Sequence, residues 1–103
     1  MPNTPALVQA GIAGLYASPG VVQDARSQAE AVLRAVGGVV WVEDETQLDA
    51  VTAVSGSGPA YVFYLLEAMV EAGTQMGLPA EAARRLAQET IAGAAQLAVQ
   101  STE

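Results

Sequence analysis

"SGSGPAYVFYLLEAM", Ser55 to Met69, is the stretch whose reading decides the fold. It opens on a glycine turn that could either cradle a phosphate or begin a buried helix. A dinucleotide fingerprint, G-x-G-x-x-G, needs a third glycine at position 61, where Tyr61 stands, and it should follow a strand rather than a helix. A P-loop needs a lysine after its last glycine, and all the basic residues of this chain are arginines. The helical reading is better supplied. Ser57 is placed to cap a new helix, Pro59 suits its first turn, and Gly56 and Gly58 let the chain change direction. Tyr61, Val62, Phe63, Tyr64, Leu65 and Leu66 then follow without a break and cover every direction around a helix axis. A helix that is apolar all round is buried all round. A chain of 103 residues has too few other side chains to surround it, so a partner subunit is expected to supply the cover.

The rest of the chain fits that expectation. It is 51% hydrophobic, but much of this is alanine and only 5% is aromatic, so the core within one chain should be thin. Eleven acidic residues against four arginines give a net charge of -7, which excludes the clustered positive charge of a nucleic-acid surface and disfavours anionic membranes. Cysteine and histidine are both absent, which excludes disulfides, thiol chemistry, zinc sites and Ser-His or Cys-His nucleophiles. The longest apolar run, Gly58 to Leu66, ends at Glu67, well short of the roughly 20 residues of a membrane span. "MPNTPALVQ" has neither the basic start nor the apolar run of a signal peptide, and a cytoplasmic location is expected.

Element signals divide the chain near residue 44. "MPNTP" reads as an extended or turning segment, "QAGIAGLYA" as a strand ending at "SPG", and Val22 to Val36 as a helix with apolar residues at Ala25, Ala29, Val32, Leu33 and Val36. Gly37-Gly38 is expected to stop that helix, and "VVWVE" to follow as a strand. From Thr46 onward only helices are expected. "TQLDAVTAV" forms a short one behind Asp44 or Glu45, a long one runs from the glycine turn to Met76, and a last one opens at Pro79. Ala83, Leu86, Ala87, Thr90, Ile91, Ala94, Leu97 and Ala98 line one face of the last helix, with Glu81 and Arg85 paired outside it. The fold class is therefore mainly α with a short N-terminal β-α-β piece. Two strands are too few for an independent sheet, so residues 1–44 read as part of something larger.

Candidate acid-base or metal groups are few. Glu67 and Glu71 share a helix face, but that pattern is more often a solvated stripe, and "EDET" is more often a hinge with an N-cap than a metal cluster. Trp41 in its β-rich run reads as core. No catalytic residue and no metal ligand are assigned.

"MPNTPALV", "AVTAVSGSGPAYVFYLLEAM" and "GLPAEAARRLAQETIAGAAQL" together closely resemble the pyrroline-5-carboxylate reductase family, over essentially the whole chain. The resemblance implies an NAD(P)H-dependent oxidoreductase completing proline synthesis. Its dinucleotide-binding domain is followed by a helical dimerisation domain like the C-terminal domain of 6-phosphogluconate-dehydrogenase-type enzymes. Residues 1–44 would be the tail of the first domain and 45–103 most of the second, the glycine fingerprint and the family's "SPGGTT"-like segment both lying outside the chain. By position, Asn3 and Thr4 would contact the cofactor. Ser55, Gly56, Ser57, Gly58 and Pro59 would form the helix start beside the active site, and Tyr61, Phe63, Tyr64, Leu65, Leu66 and Met69 would form the dimer interface. The isolated chain would bind no cofactor and lack activity, and its partner would be a second copy, with rings of dimers as a further step. The alternatives are a helical homodimerisation module without catalysis and a part of a related imine or β-hydroxyacid dehydrogenase.

Overall fold

A computed structural model describes residues 1–101, so the last two residues of the expected helical range 45–103 lie outside the described part. Two strands, β1 (Gly11–Leu15) and β2 (Gly37–Trp41), pair in parallel through the helix α1 (Gln23–Arg34), in a register that sets Gly11 against Gly37 and Leu15 against Trp41. A 3-10 turn, Thr4–Val8, precedes β1, started by Pro5 and ended by Gln9 in a left-handed conformation. After β2 come α2 (Gln47–Val51), a π-helical turn (Thr52–Gly56), and the long helices α3 (Gly58–Gln75) and α4 (Ala80–Gln100). The mainly helical fold with its β-α-β start is as the sequence predicts.

Two local readings need correction. Gly37 and Gly38 do not stop α1, which already ends at Arg34; they open β2. The reason is steric, because a Cβ on Gly37 would collide with the Gly11 carbonyl across the ladder. Nor does Ser57 cap a new helix. Its backbone is itself helical, at φ -89 and ψ -21, and its N–H reaches back to the Thr52 carbonyl at 2.8 Å, so the glycine turn is a widened turn in a helical course.

Compactness divides the chain between Ala60 and Tyr61. In the first unit, α2 approaches β1 closely enough that a Cβ on Gly14 would lie 2.6 Å from the Val51 side chain. Asp44 fixes the turn that leads into α2: its carboxylate accepts the Thr46 N–H at 2.9 Å, and the Gln47 amide oxygen accepts the Asp44 N–H at 3.1 Å. Trp41 fastens β2 to α1, donating its Nε1–H to Glu30 at 2.6 Å while the Arg26 guanidinium lies over its ring at 4.7 Å. In the second unit α3 ends in a Schellman motif. Gly77 takes φ 106, its N–H donates to Thr74 and the Leu78 N–H to Gly73. Gly73 also allows close approach to α4, since a Cβ there would stand 3.1 Å from that of Ala83. Arg85 pairs with Glu89 at 2.8 Å rather than with Glu81, which sits in the first turn of α4 where the helix dipole favours it anyway.

The Glu30 carboxyl is held below the ordinary carboxylate range, first by the hydrogen bond from Trp41 and then by Arg34; Asp44 is held low by the donors of Thr46. A lowered folded-state value means that the stabilisation is fully present above the unfolded carboxylate value and is lost as pH falls through the folded one. The melting temperature should therefore drop on acidification below the ordinary carboxylate range. Glu30→Gln should flatten that drop, as followed by the fluorescence of Trp41, the single tryptophan.

Candidate functional site

The first unit brings together two segments that the sequence separates by about fifty residues. Asn3 is the bridge. Its Oδ1 accepts the Ile12 N–H at 2.9 Å, on β1, and its Nδ2 donates to the Ser55 carbonyl at 3.0 Å, in the π turn. The 3-10 turn after Asn3 and the π turn thereby face a shared hollow of about 430 Å³, lined by Met1, Pro2, Asn3, Thr4, Ala6, Leu7 and Gly56. A Cβ on Gly56 would meet the Met1 methyl at 2.5 Å, so the glycine brings the π turn close to the first residues. Two hydroxyls bond back into their own helix, Thr52 to the Leu48 carbonyl at 2.9 Å and Ser55 to that of Val51 at 3.0 Å.

Of the residues singled out in the sequence, Asn3, Thr4, Ser55, Gly56, Ser57, Gly58 and Pro59 belong to the first compact unit. Tyr61, Phe63, Tyr64, Leu65, Leu66 and Met69 belong to the second, on α3. Within one chain Tyr61, Phe63, Tyr64 and Leu65 are exposed, Tyr64 to 76% and Tyr61 to 66%, while Leu66 and Met69 are half-buried. On α4 the expected stripe is covered only in part: Ala83 and Ala87 are buried, Leu86 and Leu97 exposed. Glu67 and Glu71 are exposed, and Glu71 accepts a hydrogen bond from Gln75 at 3.2 Å. Among the described residues no three acidic side chains stand close enough to hold a metal ion, and no helix is long and apolar enough to cross a membrane.

Sequence reasoning missed two features. Trp41 is a half-buried platform whose edge and face are both engaged by α1, where only a core residue was expected. The other is that Asn3 spends both ends of its amide inside the chain, on partners 9 and 52 residues away that no local pattern pairs with it.

A parallel β-α-β unit followed in sequence by long helices with large apolar side chains left exposed defines a mixed class, mainly α with a βαβ start. Comparison with known proteins is specific about the family. The family model for pyrroline-5-carboxylate reductase dimerisation matches residues 45–103, and the chain belongs to that family. A pyrroline-5-carboxylate reductase of Pseudomonas aeruginosa is 54% identical over 98% of this chain and 37% of its own length. One from Haemophilus influenzae is 48% identical over the whole chain and 38% of its length. Among solved structures, the Coxiella burnetii pyrroline-5-carboxylate reductase superposes with a TM-score of 0.92 at 47% identity, covering 100% of this chain and 38% of that one. The Plasmodium falciparum pyrroline carboxylate reductase, solved with NADP bound, superposes at 0.89 with 30% identity, covering 100% of this chain and 42% of its own. The chain thus spans about two-fifths of the length of the curated relatives it matches.

Overpacking a rigid wall costs about 1–3 kcal/mol, but the atom facing Gly56 is the free end of a flexible methionine. Gly56→Ala should therefore cost less than about 1 kcal/mol in denaturant unfolding. Gly37→Ala, which meets backbone, should cost more than that by the same measurement.

Proposed function

We propose that this chain is the junction and association segment of a reductase that converts 1-pyrroline-5-carboxylate to L-proline with NAD(P)H. The observation that carries this reading is the hollow shared by the Met1–Leu7 segment and Gly56, in a chain whose relatives are named for that reaction. In this reading residues 1–44 close the dinucleotide-binding domain and 45–103 form most of the helical dimerisation domain. Asn3 and Thr4 stand toward the nicotinamide. Ser55, Gly56, Ser57, Gly58 and Pro59 start the helix beside the substrate. The cofactor supplies the hydride, and the protein's part is to orient the two reactants and exclude competing reactions. Support for a nicotinamide cofactor comes from the Plasmodium falciparum relative with NADP bound. The whole enzyme acts in the cytoplasm, and its dimers can assemble further into rings.

The isolated chain behaves as an association module. Fully burying a large apolar side chain contributes about 1.5–3 kcal/mol, so leaving Tyr61, Phe63, Tyr64 and Leu65 exposed would forfeit an amount comparable to the about 5–15 kcal/mol stability of a whole domain. A second copy is the natural cover.

Two measurements test the two halves of this reading. The full-length protein carrying this segment should oxidise NADPH in the presence of 1-pyrroline-5-carboxylate, whereas the 103-residue chain should show no saturable heat on calorimetric titration with NADPH. In sedimentation the chain should be a dimer whose melting temperature rises with concentration, and Phe63→Asp should abolish both association and cooperative melting. A folded monomer with a dilution-independent melting temperature would contradict the association half alone.

A further inference from the structure

Ser55 and Pro59 stand four residues apart, the spacing at which an α-helix closes a hydrogen bond from the later N–H to the earlier carbonyl. Proline has no N–H, and its ring crowds that same carbonyl. The chain widens here into the π turn Thr52–Gly56, with the Ser57 N–H reaching five residues back to Thr52 at 2.8 Å. Beyond Pro59, the Ala60 N–H goes to the Ser57 carbonyl at 3.1 Å. The Ser55 carbonyl has thus lost its α-helical donor, and the Asn3 amide supplies one from 52 residues away.

We propose that Asn3 is a positioning residue for the reaction at the hollow beside it. By replacing the hydrogen bond that Pro59 withholds, it fixes the π turn against the Met1–Leu7 segment. This rests on the reductase reading above. The side-chain chemistry is specific, since Asn3 must accept from Ile12 and donate to Ser55 from one short planar head. An ionised aspartate offers acceptors alone, and an aliphatic side chain offers neither. Asn3 and Gly56 are both walls of the hollow, so slack in this link moves one wall against the other. A displacement of about 1 Å between such walls can cost on the order of a hundredfold in rate when it disturbs the attack geometry.

Asn3→Asp is the discriminating variant, because it keeps the acceptor for Ile12 and loses only the donor. In the full-length protein, kcat should fall about tenfold at neutral pH while KM for the imine changes little. The ratio of variant to wild-type kcat should climb as pH is lowered into the carboxylic-acid range, where the introduced group is protonated and donates again. None of the residues lining the hollow has a titratable side chain to imitate that rise. A pH-independent ratio, or a loss entirely in KM, overturns the proposal. A second arm needs no turnover and uses the 103-residue chain. Pro59→Ala restores an N–H to Ser55, so the fall in melting temperature caused by Asn3→Ala should be at most half as large in the Pro59→Ala background. Additive shifts overturn the link itself. A wild-type protein without turnover sinks the reductase reading, and with it the role in the reaction, while the cycle still decides whether Asn3 substitutes for the missing donor.

Discussion

Among the described residues four apolar side chains are buried, Ala13 and Leu15 on β1 and Ala83 and Ala87 on α4, and three of the four are alanines. That scarcity governs everything else about the chain. Apolar burial is the main favourable term in folding, worth about 25 cal/mol per Å² removed from water, and alanine has little area to remove. The large side chains that could supply more are on α3, and Tyr61, Phe63, Tyr64 and Leu65 stay in solvent when one chain is considered alone. The second unit is thus a pair of helices much of whose large apolar material is exposed within one chain, which is the ground for the proposed association.

Where side chains do meet within the chain, small residues set the spacing. Gly37 lets β2 lie against Gly11, Gly14 admits the Val51 side chain, and Gly73 admits Ala83. Each permits backbones to approach closely at the expense of buried area. Specific polar links then take over the task of fixing geometry. Asn3 ties the start of the chain to the π turn, Asp44 and Gln47 lock the first turn of α2, and Trp41 holds α1 through Glu30 and Arg26. All three links lie where one element gives way to another.

Most of the element order was legible because it rests on local patterns. The 3.6-residue spacing of Ala25, Ala29 and Leu33, the β-branched run at Val39–Val40, and the glycine at position 77 each act on nearby backbone. The short helix behind Asp44 or Glu45 was legible for the same reason, although its first residue is Gln47 and its N-cap is Thr46, without a side-chain cap. The misreadings came from non-local contacts. Gly37 reads as a helix stop in isolation, yet its role is set by Gly11 across the ladder. Ser57 reads as a cap because serine is among the favoured N-cap residues, yet its N–H closes the wider turn on Thr52, and the Ser55 carbonyl in that turn accepts from Asn3. At the candidate site the residues Asn3 and Ser55–Pro59 were picked out, but the bond between them was not, since nothing in a linear pattern pairs positions 52 residues apart.

The apolar surface and the polar link are connected through α3. That helix begins at Gly58, two residues after the π turn ends, and carries Pro59 and the exposed aromatic run in one continuous element. Helix formation is cooperative, so a surface that orders Tyr61 to Met69 also favours order in the first turn of the same helix. The first turn contains the proline that deprives Ser55 of its donor. Ordering it leaves the Ser55 carbonyl in need of a partner and presents it to Asn3. On the proposed reading, association along α3 and the Asn3–Ser55 link act on one continuous helix, which gives a physical reason for this sequence to place an aromatic run directly behind a glycine and proline turn.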